Sequence, residues 1–307
     1  MTCFYPLKAF RTLNGGIVFS DHKGGEPLTL PCGQCIGCRI DRSRQWALRC
    51  VHEASLHGSE NCFITLTYNA ENLPPDCGLI KRDFQLFMKN LRQYLKPKKI
   101  KFYMCGEYGE KFNRPHYHAL IFGHNFDDWL YLFDSPSGEA IYTSPTLEKI
   151  WDRGFVTLGH VTFESAAYCA RYILKKINGP LADQVDSKTG LKHYERINTF
   201  TGEICEVLPE YSSMSRGGRS GRGIAHDWIT RYSSDVYPKD FTTVRGNRVR
   251  PSRYYDNYLK NIDIDMYDDI KAGRALKAYE SEDNTESRLS SKRKICEAQL
   301  TNLKRTI

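Results

Sequence analysis

Two histidines one residue apart, His116 and His118, lie in Arg114-Pro-His-Tyr-His118, at the start of a stretch that reads as a β-strand. Side chains on a strand alternate faces, so both imidazoles project from one face while Tyr117 and Ala119 point to the other. Residues 100–107 read as the preceding strand, and the region of Gly109, Asn113 and Pro115 as a hairpin loop. With the loop centred near Lys111 and Phe112, Glu107 falls opposite His116, and cross-strand partners share a face. Two imidazoles and a carboxylate with open positions suit a catalytic divalent cation better than a closed structural site. A slip of one residue would turn Glu107 away and leave Glu110 as the alternative ligand.

A second constellation lies on residues 164–177, which read as a helix. Tyr168 and Tyr172 are one turn apart and share a helix face, while Arg171 and Lys175 each follow a tyrosine by three. A phenol with an ordinary pKa of about 10 is a poor nucleophile at neutral pH unless a cation or base favours the phenolate. Arg171, Lys175 and Lys176 could do that, or could hold a phosphate under attack. Tyrosines half-buried for packing, with cations reaching to water, are the alternative. The neighbouring metal ligands tip the reading toward chemistry.

The run Pro31-Cys-Gly-Gln-Cys-Ile-Gly-Cys38 carries a third pattern. Its Cys-x-x-Cys-x-x-Cys spacing lets a tight turn aim Cys32, Cys35 and Cys38 at one centre, and Cys3 or Cys50 could complete a tetrahedron. The pattern favours structural Zn²⁺ over an iron–sulfur cluster, whose run has a fourth cysteine close behind and a proline after it.

The elements that must position these groups follow from periodicity. Residues 41–57 read as a helix with a basic side of Arg42, Arg44 and Arg49, next to Arg39, and residues 62–68 read as a β-rich strand. Residues 81–95 form an amphipathic helix through Phe84, Phe87, Met88 and Leu91, ended by Pro97. After the hairpin, residues 124–145 read as an irregular insert, 147–151 as a short helix and 154–163 as a strand. This order implies an α+β fold, an antiparallel sheet with helices on one face in the ferredoxin-like manner. An N-terminal Cys-rich element and an irregular C-terminal region flank it.

The chain has 307 residues, 40% of them hydrophobic, enough for a buried core. No window approaches the ~20 apolar residues of a membrane span, and the first ten lack a secretory signal's apolar stretch. A cytosolic protein with no membrane partner is therefore expected. Eleven cysteines then argue against a disulfide framework. A net charge of +8 with 19 Tyr and 15 Phe suits a partner with phosphates and stackable bases.

Taken together, the motifs resemble those of the HUH endonucleases, the histidine-hydrophobe-histidine initiators of rolling-circle replication. They most resemble the replication-associated proteins of the gokushovirus branch of the Microviridae, small single-stranded DNA phages. Phe63-Ile-Thr-Leu-Thr67 resembles the family's first motif, Arg114-Pro-His-Tyr-His118 its metal motif and Tyr168-Cys-Ala-Arg-Tyr-Ile-Leu-Lys175 its two-tyrosine nucleophile motif. The cysteine cluster is similar to that phage branch. Arg171 stands where a lysine is often found, which keeps the charge and leaves open which tyrosine attacks first.

The resemblance implies a metal-dependent nickase and strand transferase using Mg²⁺ or Mn²⁺. Its product would be a 5′-phosphotyrosine link with a free 3′-OH on single-stranded or supercoiled origin DNA, made in the host cytoplasm. No phosphate-binding Gly-Lys-Ser/Thr loop is present, so unwinding is expected to need a host helicase, and extension a host polymerase. Two other readings stand beside this one: a non-catalytic, zinc-stabilised nucleic-acid-binding protein, and a transposase or relaxase with the same chemistry.

Residues 181–210 are polar and read as an excursion with a hairpin. The glycine-rich stretch 214–223 spaces Arg216, Arg219 and Arg222 where backbone and guanidinium groups could meet DNA phosphates. Arg245, Arg248, Arg250 and Arg253 with Tyr254, Tyr255 and Tyr258 mix cations and aromatic rings. The expected division is a Cys-rich element and basic helix over 1–58, a nuclease core over 59–180, a basic accessory region over 181–263 and a charged, loosely held tail over 264–307.

Overall fold

The computed structural model describes residues 3–12, 14–20, 25–109, 112–136, 138–171, 176–177, 182–218, 221–280 and 284–302. The elements run β1 (Leu7–Arg11), β2 (Ile17–Val18), β3 (Glu26–Leu30), α1 (Ile36–Ser55), β4 (Asn61–Tyr68), α2 (Lys81–Tyr94), β5 (Lys101–Tyr108) and β6 (Pro115–Phe122). They continue with β7 (Leu130–Asp134), β8 (Ala140–Thr143), α3 (Pro145–Trp151), β9 (Gly154–Gly159), α4 (Phe163–Arg171), β10 (Glu195–Ile197), β11 (Ile204–Glu206) and β12 (Tyr211–Met214). The last are α5 (His226–Val236), β13 (Thr242–Val244), β14 (Asn247–Val249), α6 (Arg253–Ile262), α7 (Ile264–Glu280) and α8 (Glu286–Asn302). The chain divides into two units, one of the residues up to Gln45 with those from Ser234 onward, the other of Trp46–Ser233.

In the Trp46–Ser233 unit, alternation along the strands builds a seven-stranded antiparallel sheet of order β12-β5-β6-β4-β9-β8-β7. One face is apolar: Ile64, Leu66 and Tyr68 of β4 meet Met104 of β5, Tyr117, Ala119 and Ile121 of β6, and Val156 and Leu158 of β9. Phe84, Phe87, Met88 and Leu91 recur along α2 at helical spacing and close this face together with Leu147 and Trp151 of α3. Each such side chain contributes roughly 1.5–3 kcal/mol on burial. Tyr117 also pins the start of α2, because its hydroxyl accepts from the Ile80 N–H at 3.0 Å and donates to the Ile80 carbonyl at 2.8 Å.

The antiparallel α+β plan expected from the sequence is the one found. α2 and α3 lie on the apolar face, while α4, and α1 from Trp46 on, lie over the other. There the Trp46 ring is centred 5.0 Å from that of Tyr103. α4 begins with a reciprocal cap in which the Thr162 N–H donates to Ser165 Oγ at 2.8 Å and the Ser165 N–H to Thr162 Oγ1 at 3.1 Å. Its buried residues Ser165, Ala166, Cys169 and Ala170 are small and let the helix approach β5 and β6 closely.

Two parts of the sheet were not expected. The stretch read as irregular supplies the β7–β8 hairpin, whose strand Leu130–Asp134 is exposed throughout and therefore shows no buried-face alternation. β12, from beyond the expected core, pairs with β5 at the far edge, Tyr211 opposite Gly106. β9 crowds β4 at Gly154, where a Cβ would sit 2.3 Å from the Asn69 nitrogen and 2.4 Å from the Thr67 carbonyl oxygen, so only glycine fits.

In the other unit β2-β1-β3 form a small antiparallel sheet and β13 pairs with β14. Residues 264–280 and 286–302 are helical, and Arg274 of α7 bridges Asp240 and Asp256, at 2.8 Å to each. No helix among the described residues is long and apolar enough to cross a membrane.

A buried carboxylate ties α1 to the sheet. Glu53 accepts from Lys101 Nζ at 2.9 Å and from the Ala225 N–H at 2.6 Å, and lies 3.1 Å from His57 Nε2. Burial alone would raise its pKa, but the bonds from His57, Ala225 and Lys101 outweigh that and hold it below the ordinary carboxylate range. A depressed folded-state pKa stabilises above the unfolded value of about 4.3, and the contribution is lost as pH falls through the folded value. Glu53→Gln is therefore expected to cost about 3–5 kcal/mol at pH 7 in urea unfolding, the gap to wild type narrowing below about pH 4.

Candidate metal and tyrosine site

β5 and β6 pair with Glu107 opposite His116 and Cys105 opposite His118. This register sends Glu107, His116 and His118 to the sheet face under α4. Glu107 and His118 are buried, and His116 is partly exposed. One carboxylate oxygen, Glu107 Oε1, lies 2.7 Å from His116 Nε2 and 2.9 Å from His118 Nε2. The outer nitrogens are held as well, His116 Nδ1 at 3.0 Å from the Arg114 carbonyl oxygen and His118 Nδ1 at 2.9 Å from Thr65 Oγ1.

The donor set is what a cation requires. The Arg114 carbonyl can only accept, so in the neutral imidazole it places the proton of His116 on Nδ1 and leaves a lone pair at Nε2, directed at the carboxylate. Lone pairs converging on one oxygen repel unless a proton or a metal ion lies among them. The ligand atoms of the three residues all lie within 4.8 Å of one another. Burial works to raise the pKa of Glu107, but the hydrogen bonds and charges of the two imidazoles overcome it and hold the carboxyl at about 2. Glu107 is thus a carboxylate at any pH where the histidines can bind a metal.

Tyr168 comes to this site from α4. Its ring stands edge-on to His118 with centroids 5.2 Å apart, and edge-on to Phe63 at 6.3 Å. Arg171 ends α4 and is half-buried, as is Lys176. Tyr172, Lys175 and the alternative ligand Glu110 lie outside the described residues.

Relatives agree with this part of the chain. Residues 61–177, which span β4 to the end of the tyrosine segment, match the family described as replication-associated protein ORF2. Replication-associated protein VP4 of Bdellovibrio phage phiMH2K is 30% identical over 292 residues, 91% of this chain and 84% of its own. The chain belongs to the phage replication-associated proteins. Replication-associated protein ORF2 of Spiroplasma virus 4 is also 30% identical, over 286 residues that cover 85% of this chain and 81% of that one. Replication-associated protein ORF4 of Chlamydia phage 1 is 36% identical over 154 residues, 48% of this chain and 38% of that one. No solved structure matches the chain significantly.

In this replication-associated protein a second group of metal-type ligands lies in the other unit. Cys3, Cys32, Cys35 and Cys38 bring their sulfurs within 4.8 Å of one another. Cys3 is the fourth member, whereas Cys50, the other candidate, is fully buried beside Cys169. Backbone N–H groups of Cys32, Phe4 and Cys35 donate to the sulfurs of Cys3, Cys35 and Cys32 at 3.2–3.3 Å. Burial raises the Cys35 thiol, yet the N–H donors and neighbouring thiols bring it down to about 7, while burial pushes Cys38 up. Four thiolates at such spacing need a cation, and tetrahedral sulfur suits Zn²⁺.

The glycine-rich stretch after β12 keeps Arg216 and Arg222 exposed, and Arg219 lies outside the described residues. Its backbone folds on itself: a Cβ on Gly217 would lie 2.3 Å from the Arg222 carbonyl carbon. Sequence reasoning missed Thr65 as a partner of His118, although alternation along β4 puts Thr65 on the histidine face. Thr65→Val is expected to weaken Mn²⁺ binding about 10–100-fold, followed by electron paramagnetic resonance of the free ion, because His118 loses the group that orients it.

Proposed function

We propose that this replication-associated protein is a metal-dependent DNA nickase and strand transferase that starts rolling-circle replication of a small circular genome. The observation that carries the reading is Tyr168 packed against His118, one of three convergent ligands Glu107, His116 and His118. A divalent cation on these ligands, Mg²⁺ or Mn²⁺, would polarise a non-bridging oxygen of the scissile phosphate.

The chain's own residues supply the rest. The tyrosine oxygen attacks phosphorus in line, the Tyr–O–P bond forms and the bond from phosphorus to the 3′ oxygen breaks. The phenol proton passes to solvent and the 3′ oxygen takes up a proton to become a free hydroxyl. Arg171, Lys175 and Lys176 favour the phenolate or hold the phosphate. Because one phosphoester replaces another, its energy is retained, and a 3′-OH attacking the phosphotyrosine rejoins the strand without ATP. A second tyrosine, Tyr172, one helical turn on, lets a second cleavage proceed while the first strand is still attached. Structural Zn²⁺ on the four cysteines, backbone contacts from Arg216, Arg219 and Arg222, and a host helicase and polymerase complete the proposal.

The test incubates the protein with supercoiled and single-stranded circular DNA of its own genome plus Mn²⁺ and scores a covalent protein–DNA adduct. Wild type is expected to form it, while Tyr168→Phe/Tyr172→Phe and His118→Ala lose it by more than about 10³-fold. An adduct that survives in the double phenylalanine variant overturns the reading and favours a non-catalytic nucleic-acid-binding protein.

A further inference from the structure

Two arginine motifs far apart in the sequence meet in the unit that carries the cysteine cluster. Arg42 and Arg44 lie on α1, Arg250 and Arg253 at the start of α6, and all four line one cavity of about 550 Å³. Built contacts hold them there. Arg44 Nη1 donates to the Arg250 carbonyl oxygen at 3.2 Å, the Arg253 N–H to Gln45 Oε1 at 3.1 Å and Arg42 Nη2 to the Gly33 carbonyl oxygen at 3.3 Å. Cys3 and Cys38 contribute to the same wall, so the cysteine turn and the arginines form one surface.

The charge of the cavity is decided by its acids. Asp41 is taken up by Arg44 at 3.1 Å and by Gln45 at 2.6 Å. Asp256 is taken up by Arg274 at 2.8 Å and by the Tyr237 hydroxyl at 2.8 Å. Arg42, Arg250 and Arg253 are exposed and have no carboxylate partner among the described residues. Three forked, permanently charged donors around one concavity are suited to bidentate contact with phosphate oxygens. The first turn of α6 adds its N-terminal dipole.

We infer that this cleft is a docking site for the phosphodiester backbone of DNA, separate from the metal and tyrosine residues. It deepens the replication reading, since it gives the cysteine-rich unit a part in holding the substrate. The contacts are to phosphate, so they set affinity and orientation and carry no base specificity.

The test measures binding of a duplex oligonucleotide by fluorescence anisotropy across a range of salt concentrations, without Mn²⁺. It uses Tyr168→Phe/Tyr172→Phe protein so that cleavage plays no part. The triple variant Arg42→Ala/Arg250→Ala/Arg253→Ala is expected to bind more than about tenfold more weakly at roughly 0.15 M salt, and its slope of log affinity against log salt should be shallower by about 2–3, at roughly 0.9 per lost phosphate contact. The triple lysine variant is expected to keep most of the slope, which separates lost charge from lost shape. Should the alanine variant fail to fold by circular dichroism, Arg250→Glu alone decides in the same way, since that side chain is exposed. An unchanged slope overturns the inference and leaves the cleft to an acidic protein segment. Absence of the covalent adduct would sink the nickase reading without touching this slope, and the reverse holds too.

Discussion

The two-residue period of β6 is the constraint on which the larger unit depends. It sends His116 and His118 to one face and Tyr117 to the other. On the first face the imidazoles meet Glu107, and on the second the Tyr117 hydroxyl holds the start of α2 through both backbone groups of Ile80. The middle residue of the histidine motif is therefore a structural anchor whose position determines that of the ligands. Tyr68 continues the anchor, its hydroxyl 2.8 Å from that of Tyr117 and 2.7 Å from Asp83 of α2. Shifting β6 by one residue would put imidazoles into an apolar core and a phenol among the ligands, so core and site enforce the same register.

The two sheet faces also differ in electrostatic purpose. The apolar side excludes water and is filled by large rings such as Trp151, Tyr68 and Phe87. The other is covered by small side chains of α4, which leaves room for polar groups at short range beneath a helix. A carboxylate buried there would be costly alone; two imidazoles and a nearby tyrosine give it company and set its charge state. The small residues of α4 thus do as much for the site as the ligands, because a bulkier helix face would move Tyr168 away from His118.

Much of this was legible in the chain. Strand alternation and hairpin length located Glu107, because both ligand strands are buried and regular. The packing face of α2 was legible from Phe84, Phe87, Met88 and Leu91, for the same reason. Cys3 was ambiguous with Cys50, since the choice depends on how the segment before β1 returns to the cysteine turn, a long-range fact without a local signature. β7 was missed because its residues are exposed on both faces and leave no periodic trace. β12 was missed because four residues with two serines carry little strand signal until β5 offers an edge. Thr65 was hidden among the alternating residues of β4, since only the register with β6 shows that it meets His118.

The place of β12 in the sheet has a consequence for how the protein is made. β5, the strand that carries Glu107, is flanked on one side by β6, its immediate successor in the sheet, and on the other by β12, which comes after every other strand of that sheet. While the chain leaves the ribosome, β5 has a bare edge until residues 211–214 have emerged, and closure over so long a separation is slow. An open edge beside Met104 and Cys105 invites pairing with other nascent chains. The acidic ligand is thus the last of the three to have its strand completed, and a product cut short before Tyr211 carries all three ligands on a sheet that is sticky at the margin.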